Sequence, residues 1–313
     1  MTLYLPTGLP CIDALRADGF PIETFDPGSD RGADALQVGI LNLMPDKQGT
    51  EAQLARMLAG SRHDIRLILF ATNAYMAQAR KPDYRSSNTP PEHLRRFYAS
   101  FDEVRAAPLD GLIITGAPLE QLPFQDVPYW PEMLEILDWV RDRQLGSFSI
   151  CWGAQAALQH FHGVPKHVLD KKCFGVYEQR VLDRGEVLDG FGAAFRVPVS
   201  RFSETRREDL PPGLPLRVLA ESDEAGICLI EDPVLGAVYM LNHFEYDEGT
   251  LRREYERDIS TGKTIGLPEN YFPGNDPQNP PEAVWADDGQ RFYGNWVESL
   301  ARRKAARNTE AGA

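Results

Sequence analysis

A cysteine stands between a short apolar run and a helical pattern in the segment SFSICWGAQ, residues 147–155. The apolar run at 148–150 predicts a buried strand, and residues 154–161 predict the helix after it. A nucleophile at such a strand-to-helix turn points out of the sheet edge, and the following backbone N–H groups can stabilise an oxyanion. Cys151 is therefore a candidate nucleophile, with the N–H of Trp152 as oxyanion donor. The alternative is a buried cysteine that only fills space.

A second candidate pair, His243 and Glu245, follows a predicted strand at 238–241. Ligands bind at the carboxyl ends of strands in open α/β sheets, and residues two apart in an extended segment point the same way. Glu245 can then accept the ring proton of His243 and leave the other ring nitrogen facing a thiol. Alone, His243 could be a surface histidine beside an acidic loop. Joined with Cys151, the pair predicts a Cys–His–Glu triad.

The composition limits the classes of partner. The chain has 313 residues and a formal net charge of −13, from 46 acidic and 33 basic residues. This acidic balance argues against binding to nucleic acid or to an anionic membrane surface. No stretch approaches ~20 consecutive apolar residues, so no transmembrane helix is expected, and no secretory signal is visible at 1–8.

The four cysteines have no C-x-x-C pair and no zinc-ligand spacing, so we expect no metal site. So few cysteines in a chain of this length do not suggest a disulfide framework. They favour free thiols in a reducing compartment, and we expect a cytoplasmic protein.

Apolar runs and amphipathic patterns alternate along the chain and predict a mostly parallel sheet flanked by helices, with an additional β-rich segment at 174–241. The predicted strands before that segment lie at 38–43, 65–70, 112–115 and 148–150. We expect an N-terminal arm packed on the core at 1–35 and one α/β domain at 36–300. The last part, 301–313, is expected to be a frayed tail.

These motifs, with others, resemble those of the homoserine O-acyltransferase family, the homoserine O-succinyl- and O-acetyltransferases built on the class I glutamine-amidotransferase fold. That fold is a flavodoxin-like three-layer α/β arrangement. The matching words run in order from about residue 36 to the last helix. They are LNLMP at 41–45, ITGAP at 114–118, YWP at 129–131, CWGAQ at 151–155, Lys172 with GVYE at 175–178, SR at 200–201, HFEYD at 243–247, YERD at 255–258 and YFPGNDP at 271–277.

The resemblance implies an acyl transfer in two half-reactions in methionine biosynthesis. Cys151 would take the acyl group from an acyl-coenzyme A, and the hydroxyl of L-homoserine would then attack it, with His243 as general base and Glu245 orienting it. The coenzyme would be a co-substrate, with no bound cofactor, and the family implies a homodimer.

By position in the matching words, Lys172, Ser200 and Arg257 correspond to the family's substrate-binding residues. A guanidinium is a reasonable clamp for an amino-acid carboxylate, because its fork matches two oxygens. Lys47 and Glu254 are further candidates without an assigned role.

The acyl donor is indicated by the residue after GAPL, which is Glu120 in this chain. The family has glycine there in typical succinyl-transferring members and glutamate in typical acetyl-transferring ones. A glutamate fills space and repels the distal carboxylate of a succinyl group. The sequence therefore favours acetyl-CoA over succinyl-CoA, unless Glu120 is only a solvated loop residue.

Two positions depart from the family pattern. Phe244 replaces the proline that many members have between the histidine and the glutamate, and we expect it to loosen the turn that holds the pair. Val199 replaces a histidine found in some members, which bears on the choice of hydroxy amino acid.

Two other functions compete with the acyltransferase. A glutamine amidohydrolase of the same fold would release ammonia from glutamine, but the LNLMP and YFP words are not amidotransferase words. A binding or redox-sensing protein could keep the fold without catalysis. It is weakened because Cys151, His243 and Glu245 are all present.

Overall fold

A computed structural model describes residues 1–86, 88–262 and 264–311 of the chain. The strands are β1 Leu3–Pro6, β2 Ile22–Phe25, β3 Leu36–Leu41, β4 Ile65–Ala71, β5 Ala99–Ser100, β6 Gly111–Ile114, β7 Gly146–Ile150, β8 His167–Val181, β9 Ala194–Glu204, β10 Arg217–Ser222, β11 Gly226–Asp232 and β12 Ala237–Met240. The helices are α1 Ile12–Ala17, α2 Lys47–Ala59, α3 Asn73–Ala79, α4 Pro91–Phe97, α5 Phe101–Val104, α6 Trp130–Asp142, α7 Trp152–His162, α8 Thr250–Ser260 and α9 Ala286–Ala311.

All of these strands join one sheet in the order β2-β1-β4-β3-β6-β7-β12-β11-β10-β8-β9, with β5 beside β4. The strands from β2 through β12 pair in parallel. Beyond β12 the sheet continues with the antiparallel strands β11, β10, β8 and β9. This topology confirms the predicted mostly parallel sheet with a β-rich addition.

Helices cover both faces of the parallel region, as the continuous apolar runs of its strands require. Neighbouring residues of a strand point to opposite faces, so Ile113 belongs to one core cluster while Leu112 and Ile114 belong to the other. Helices α2 and α9 pack on the first face, and α6 and α7 on the second. In the part of the chain that the structure describes, no helix is both long and apolar enough to cross a membrane.

The N-terminal residues form two strands of the sheet, where the sequence predicted only an arm packed on the core. β1 and β2 extend the parallel sheet at its edge, and β1 pairs with β4. Leu3 and Leu5 alternate with less buried residues along β1, which is the pattern of a strand. The strands are only four residues long and lie among glycines and prolines, so their pattern is too short to stand out in the sequence.

The described residues beyond 300 are helical, so the prediction of a frayed tail is wrong for them. Helix α9 continues to Ala311, and Lys304 and Arg307 both pair with Asp110, each at 2.9 Å. Asp110 is buried and immediately precedes β6. These ion pairs attach the end of the helix to the sheet.

The sequence predicts a β-rich segment at 174–241 but does not single out strand β9 within it, because Pro198 interrupts the strand pattern. Proline cannot donate a ladder hydrogen bond and is confined to edge strands, bulges or the first residue of a strand. β9 is the last strand of the sheet and pairs only with β8, so its central proline is tolerated.

Two glycines let α9 approach the sheet closely. Phe292, Trp296 and Leu300 recur every fourth residue of α9 and are fully buried. A Cβ on Gly111 or on Gly146 would overlap a methyl carbon of Leu300. Side chains at these two strand positions would therefore push the helix away.

We expect Gly146→Ala to destabilise the protein by about 1–3 kcal/mol, the usual cost of overpacking a core. Gly294→Ala, a glycine within α9 itself, is the matched control, because a Cβ there meets no atom within 4 Å. It should stabilise by about 0.5–1 kcal/mol, since alanine favours a helix. Urea unfolding measures both, and equal effects of the two substitutions would contradict the packing argument.

Candidate active site

Cys151 occupies a strained turn between β7 and α7. Its backbone has φ 50° and ψ −115°, a combination that side-chain-bearing residues rarely adopt and that clusters at functional sites. The N–H of Cys151 donates to the carbonyl of Met240 at 2.7 Å. A Cβ on Gly153 would lie 2.6 Å from the carbonyl oxygen of Thr115. The close approach of α7 to β6 therefore requires glycine two residues after the cysteine.

The sheet topology brings His243 to the same edge. β7 and β12 are parallel neighbours, with Ile150 opposite Met240, so the residues that follow both strands emerge side by side. The N–H of His243 donates to the carbonyl of Pro198 at 2.9 Å, and its side chain lies beside that of Cys151 in the lining of one cavity.

Glu245 completes the arrangement that the spacing predicted. Nδ1 of His243 lies 2.6 Å from Oε1 of Glu245, and both side chains are buried. Burial works against a charged imidazole, but the carboxylate of Glu245 and the thiol of Cys151 together raise the pKa of His243 well above its usual range. The site thus favours a proton on the imidazole beside the sulfur.

Tyr246 supports the histidine from one side, a contact that the sequence analysis did not identify. Its ring stacks on that of His243 with centroids 4.2 Å apart and an angle of 17°. Tyr246 belongs to the HFEYD motif at 243–247, but only the fold shows that the chain turns back and stacks the two rings.

Charged side chains line the same cavity as Cys151 and His243. Nζ of Lys172 lies 3.2 Å from Oε2 of Glu254 and 3.3 Å from Oδ2 of Asp258. Ser200 donates to the same oxygen of Glu254, and the hydroxyl of Tyr246 donates to the other oxygen at 2.9 Å. Apart from Tyr246, which lies between β12 and α8, these residues come from β8, β9 and α8, so the antiparallel strands and the late helix supply most of the charged lining.

Arg257 and Glu120 line the same cavity. Nη2 of Arg257 lies 3.1 Å from Asp258, and 61% of the Arg257 side chain is exposed, which leaves the guanidinium largely open to the cavity mouth and solvent. Burial raises the pKa of Glu120, although the positive charges of His243 and Lys172 oppose that shift.

Trp152 and Lys47 have different surroundings. Trp152 is the first residue of α7, where backbone N–H groups have no intrahelical partner. Lys47 is not among the described residues that line the cavity at Cys151 and His243. Its Nζ donates to the carbonyls of Asn42 at 2.6 Å and Met44 at 3.1 Å. Burial lowers the pKa of Lys47 to about 7, although the negative charge of Glu51 acts to raise it.

The two departures from the family pattern have structural explanations. Phe244 is fully buried and packs against Phe195 and Phe292, with ring centroids 5.3 and 5.4 Å away. It anchors the turn, and the expectation that it loosens the turn was wrong. Val199 is fully buried and is not among the described residues lining the cavity, because neighbouring strand residues face opposite ways and Ser200 lines it.

The cavity that joins these residues has a volume of about 160 Å³. The thiol and the imidazole share its lining with paired charges that match the ammonium and carboxylate of an amino acid. The arrangement is suited to a covalent transfer in which the thiol carries a group to a small zwitterion. In the described part of the chain, no group of three or more His, Cys, Asp or Glu side chains is arranged to hold a metal ion.

The chain is similar over nearly its whole length to homoserine acyltransferases. A family model described as homoserine O-succinyltransferase matches residues 2–306. A homoserine O-acetyltransferase of Rhizobium leguminosarum bv. trifolii is 42% identical over 301 residues, covering 96% of this chain and 95% of the relative. A homoserine O-succinyltransferase of Pelagibacterium halotolerans has the same identity and coverage. The matched region includes β1 and β2, which the sequence resemblance did not cover.

Solved structures with the same fold carry the name of another activity. A glutamine amidotransferase of Thermotoga maritima has a TM-score of 0.54 at 12% identity, covering 86% of this chain and 97% of that chain. A glutamine amidotransferase of Methylobacillus flagellatus has a TM-score of 0.51 at 13% identity, covering 84% and 94%. At such identity the likeness concerns the fold alone, and it confirms the predicted class I glutamine-amidotransferase-like fold.

We expect Glu245→Gln to lower the pKa of His243, because it removes the nearby carboxylate and leaves burial to disfavour the imidazolium. NMR titration of the ¹⁵N-labelled imidazole measures the change. Glu248→Gln is the control, because Glu248 lies three residues later, is less buried than Glu245 and carries the same charge. A shift of equal size in both variants would show that general charge, and not the 2.6 Å contact, sets the protonation.

Proposed function

This chain belongs to the homoserine O-acyltransferase family, and we propose that it transfers the acetyl group of acetyl-CoA to the hydroxyl of L-homoserine. The observation that carries the proposal is the triad beside a cavity that charged side chains also line. His243 lies beside Cys151 and is 2.6 Å from Glu245, and Lys172 and Glu254 line the same cavity as Cys151 and His243. The product enters methionine biosynthesis.

In the first half-reaction, Cys151 gives its proton to His243 and attacks the thioester carbonyl carbon. The N–H of Trp152 at the start of α7 stabilises the negative oxygen of the tetrahedral intermediate. The carbon–sulfur bond to coenzyme A then breaks, and the departing thiolate takes the proton from His243. One thioester replaces another, so this step has little thermodynamic cost.

In the second half-reaction, the hydroxyl of homoserine attacks the acyl-enzyme. His243 removes the hydroxyl proton, and Glu245 keeps the ring oriented and stabilises its charge. The thioester bond breaks, the oxygen ester forms, and the proton returns to the sulfur of Cys151. The stack of Tyr246 on the imidazole restricts the ring to the orientation that both steps need.

The charged lining supports recognition of the amino acid. We assign Arg257 to the substrate carboxylate, because its side chain is mostly exposed and the N–H groups that do not bond Asp258 can make two parallel hydrogen bonds. Glu254 has a carboxylate that already accepts from Ser200 and lies beside Lys172, and we assign it to the substrate ammonium. Lys172 then keeps this carboxylate in place.

The donor is assigned from one residue, because overall similarity does not decide it. Relatives named acetyltransferase and succinyltransferase are both 42% identical to this chain. Glu120 lines the catalytic cavity, where it would meet the distal carboxylate of a succinyl group. Unpaired like charges in a confined site are costly, which favours acetyl-CoA. Succinyl-CoA remains the alternative donor.

Other parts of the proposal follow from this chemistry. The reaction needs no bound cofactor, since the coenzyme enters as a co-substrate. A free thiol at Cys151 fits a reducing cytoplasm, where we place the enzyme. A homodimer is carried over from the family resemblance, and size-exclusion chromatography with light scattering would test it.

Brief incubation with an equal mixture of acetyl-CoA and succinyl-CoA, without homoserine, should leave an acetyl adduct on the protein. Intact-mass spectrometry measures the increment. Cys151→Ala should carry no adduct, because it lacks the sulfur, and adding homoserine to the acylated wild type should remove it.

Cys228→Ala is the matched control, because Cys228 is also a buried free thiol and should leave the adduct intact. An adduct that survives Cys151→Ala would contradict the assigned nucleophile. Ammonia release from glutamine without any acyl adduct would favour the amidohydrolase.

Glu120→Gly should improve succinyl-CoA relative to acetyl-CoA by about tenfold or more in kcat/KM, since it removes both the charge and the volume. Glu120→Gln separates the two effects, because it keeps the volume and removes the charge. Initial rates of thiol release with each donor give the ratio. A wild-type enzyme that prefers succinyl-CoA would refute the donor assignment and leave the mechanism intact.

A further inference from the structure

A second cavity opens directly beside the catalytic one. Its volume is about 300 Å³, and it shares Met44, Ala117 and Pro118 with the catalytic cavity. The two cavities therefore meet along this common wall, and Gly116, the residue before Ala117, is close to the sulfur. A Cβ on Gly116 would lie 3.9 Å from Sγ of Cys151.

The catalytic cavity is too small for the whole donor. Its volume of about 160 Å³ is below the ~300–1,000 Å³ typical of small-molecule sites, whereas coenzyme A consists of a nucleotide and a long pantetheine arm. Charged side chains make up part of its lining and suit the amino acid. The arm of the donor must therefore leave the reacting sulfur in another direction, and the adjoining cavity offers one.

The lining of the second cavity suits a mostly apolar chain with amide groups. Leu43 and Leu119 contribute aliphatic surface, and Tyr75, Tyr84 and Tyr129 contribute rings with hydroxyl groups. Tyr75 and Tyr84 meet edge to face with centroids 6.5 Å apart. Pantetheine carries methylene and methyl groups that such a surface buries, and amides that tyrosine hydroxyls can bond.

The chain around Tyr84 adds positive charge. Lys81 and Arg85 are exposed, as is Asp83 between them, and Tyr84 in the same stretch lines the cavity. Glu103 already pairs with Arg80, at 2.6 Å, so the net positive charge of the rim comes from Lys81 and Arg85, which outnumber Asp83. In a chain with a formal net charge of −13, a basic rim at this position complements the phosphates of a nucleotide.

We propose that this second cavity binds the pantetheine arm of the acyl-CoA donor, with its phosphates beside Lys81 and Arg85 and its thioester entering past Met44 and Pro118 to Cys151. The inference rests on the proposed acyl transfer and adds the path of the donor. It separates the donor and the amino acid into two cavities that meet at the sulfur.

The test compares donors that differ in length: acetyl-CoA, S-acetylpantetheine, which lacks the phosphates, and S-acetyl-N-acetylcysteamine, which also lacks most of the arm. Lys81→Glu/Arg85→Glu should raise the KM for acetyl-CoA by about tenfold or more. The KM values for both shorter donors, the KM for homoserine and kcat should not change. Arg62→Glu/Arg184→Glu is the control, because both residues are exposed and outside the two cavities.

A second variant tests the arm itself. Tyr84→Ala should raise the KM for acetyl-CoA and for S-acetylpantetheine and leave that for S-acetyl-N-acetylcysteamine unchanged. If all donors acylate the wild type but neither variant changes any donor KM, the assigned path is wrong and the proposed function stands. If no donor acylates Cys151 in the wild type, the proposed function itself fails.

Discussion

The parallel pairing of β7 with β12 is the constraint on which the site depends. Cys151 follows one strand and His243 follows the other, so hydrogen bonding between the strands sets the separation of sulfur and imidazole. The N–H of Cys151 donates to the carbonyl of Met240, the last residue of β12, which ties the strained turn to the strand that delivers the histidine. Backbone geometry thus brings the proposed catalytic side chains together.

The change from parallel to antiparallel pairing separates the proposed catalytic residues from the proposed recognition residues. The parallel strands, covered on both faces, form a rigid base for Cys151 and His243. The antiparallel strands β8 and β9, with α8, bring Lys172, Ser200 and Glu254 to the same cavity. The proteins that share the fold are named for glutamine amidotransfer, in keeping with the rule that a fold positions a site without dictating its function.

Much of the fold and of the candidate site could be predicted, because the sequence patterns that indicate them are local. The strand-to-helix turn at Cys151 and the i, i+2 spacing of His243 and Glu245 are visible within a few residues. The predictions failed where the pattern is short or interrupted. β1 and β2 have four residues each, β9 contains Pro198, and the end of α9 is held by ion pairs to Asp110, about 195 residues earlier in the chain.

The sequence by itself determined the alternation of strands and helices, the candidate triad and the family, because periodicity and short motifs depend on neighbouring residues. Only the tertiary structure decided that Phe244 anchors its turn, that Tyr246 stacks on His243 and that Lys47 bonds the carbonyls of the adjoining loop. Those contacts, and the meeting of two cavities beside Cys151, depend on how distant segments pack together, which local patterns do not encode.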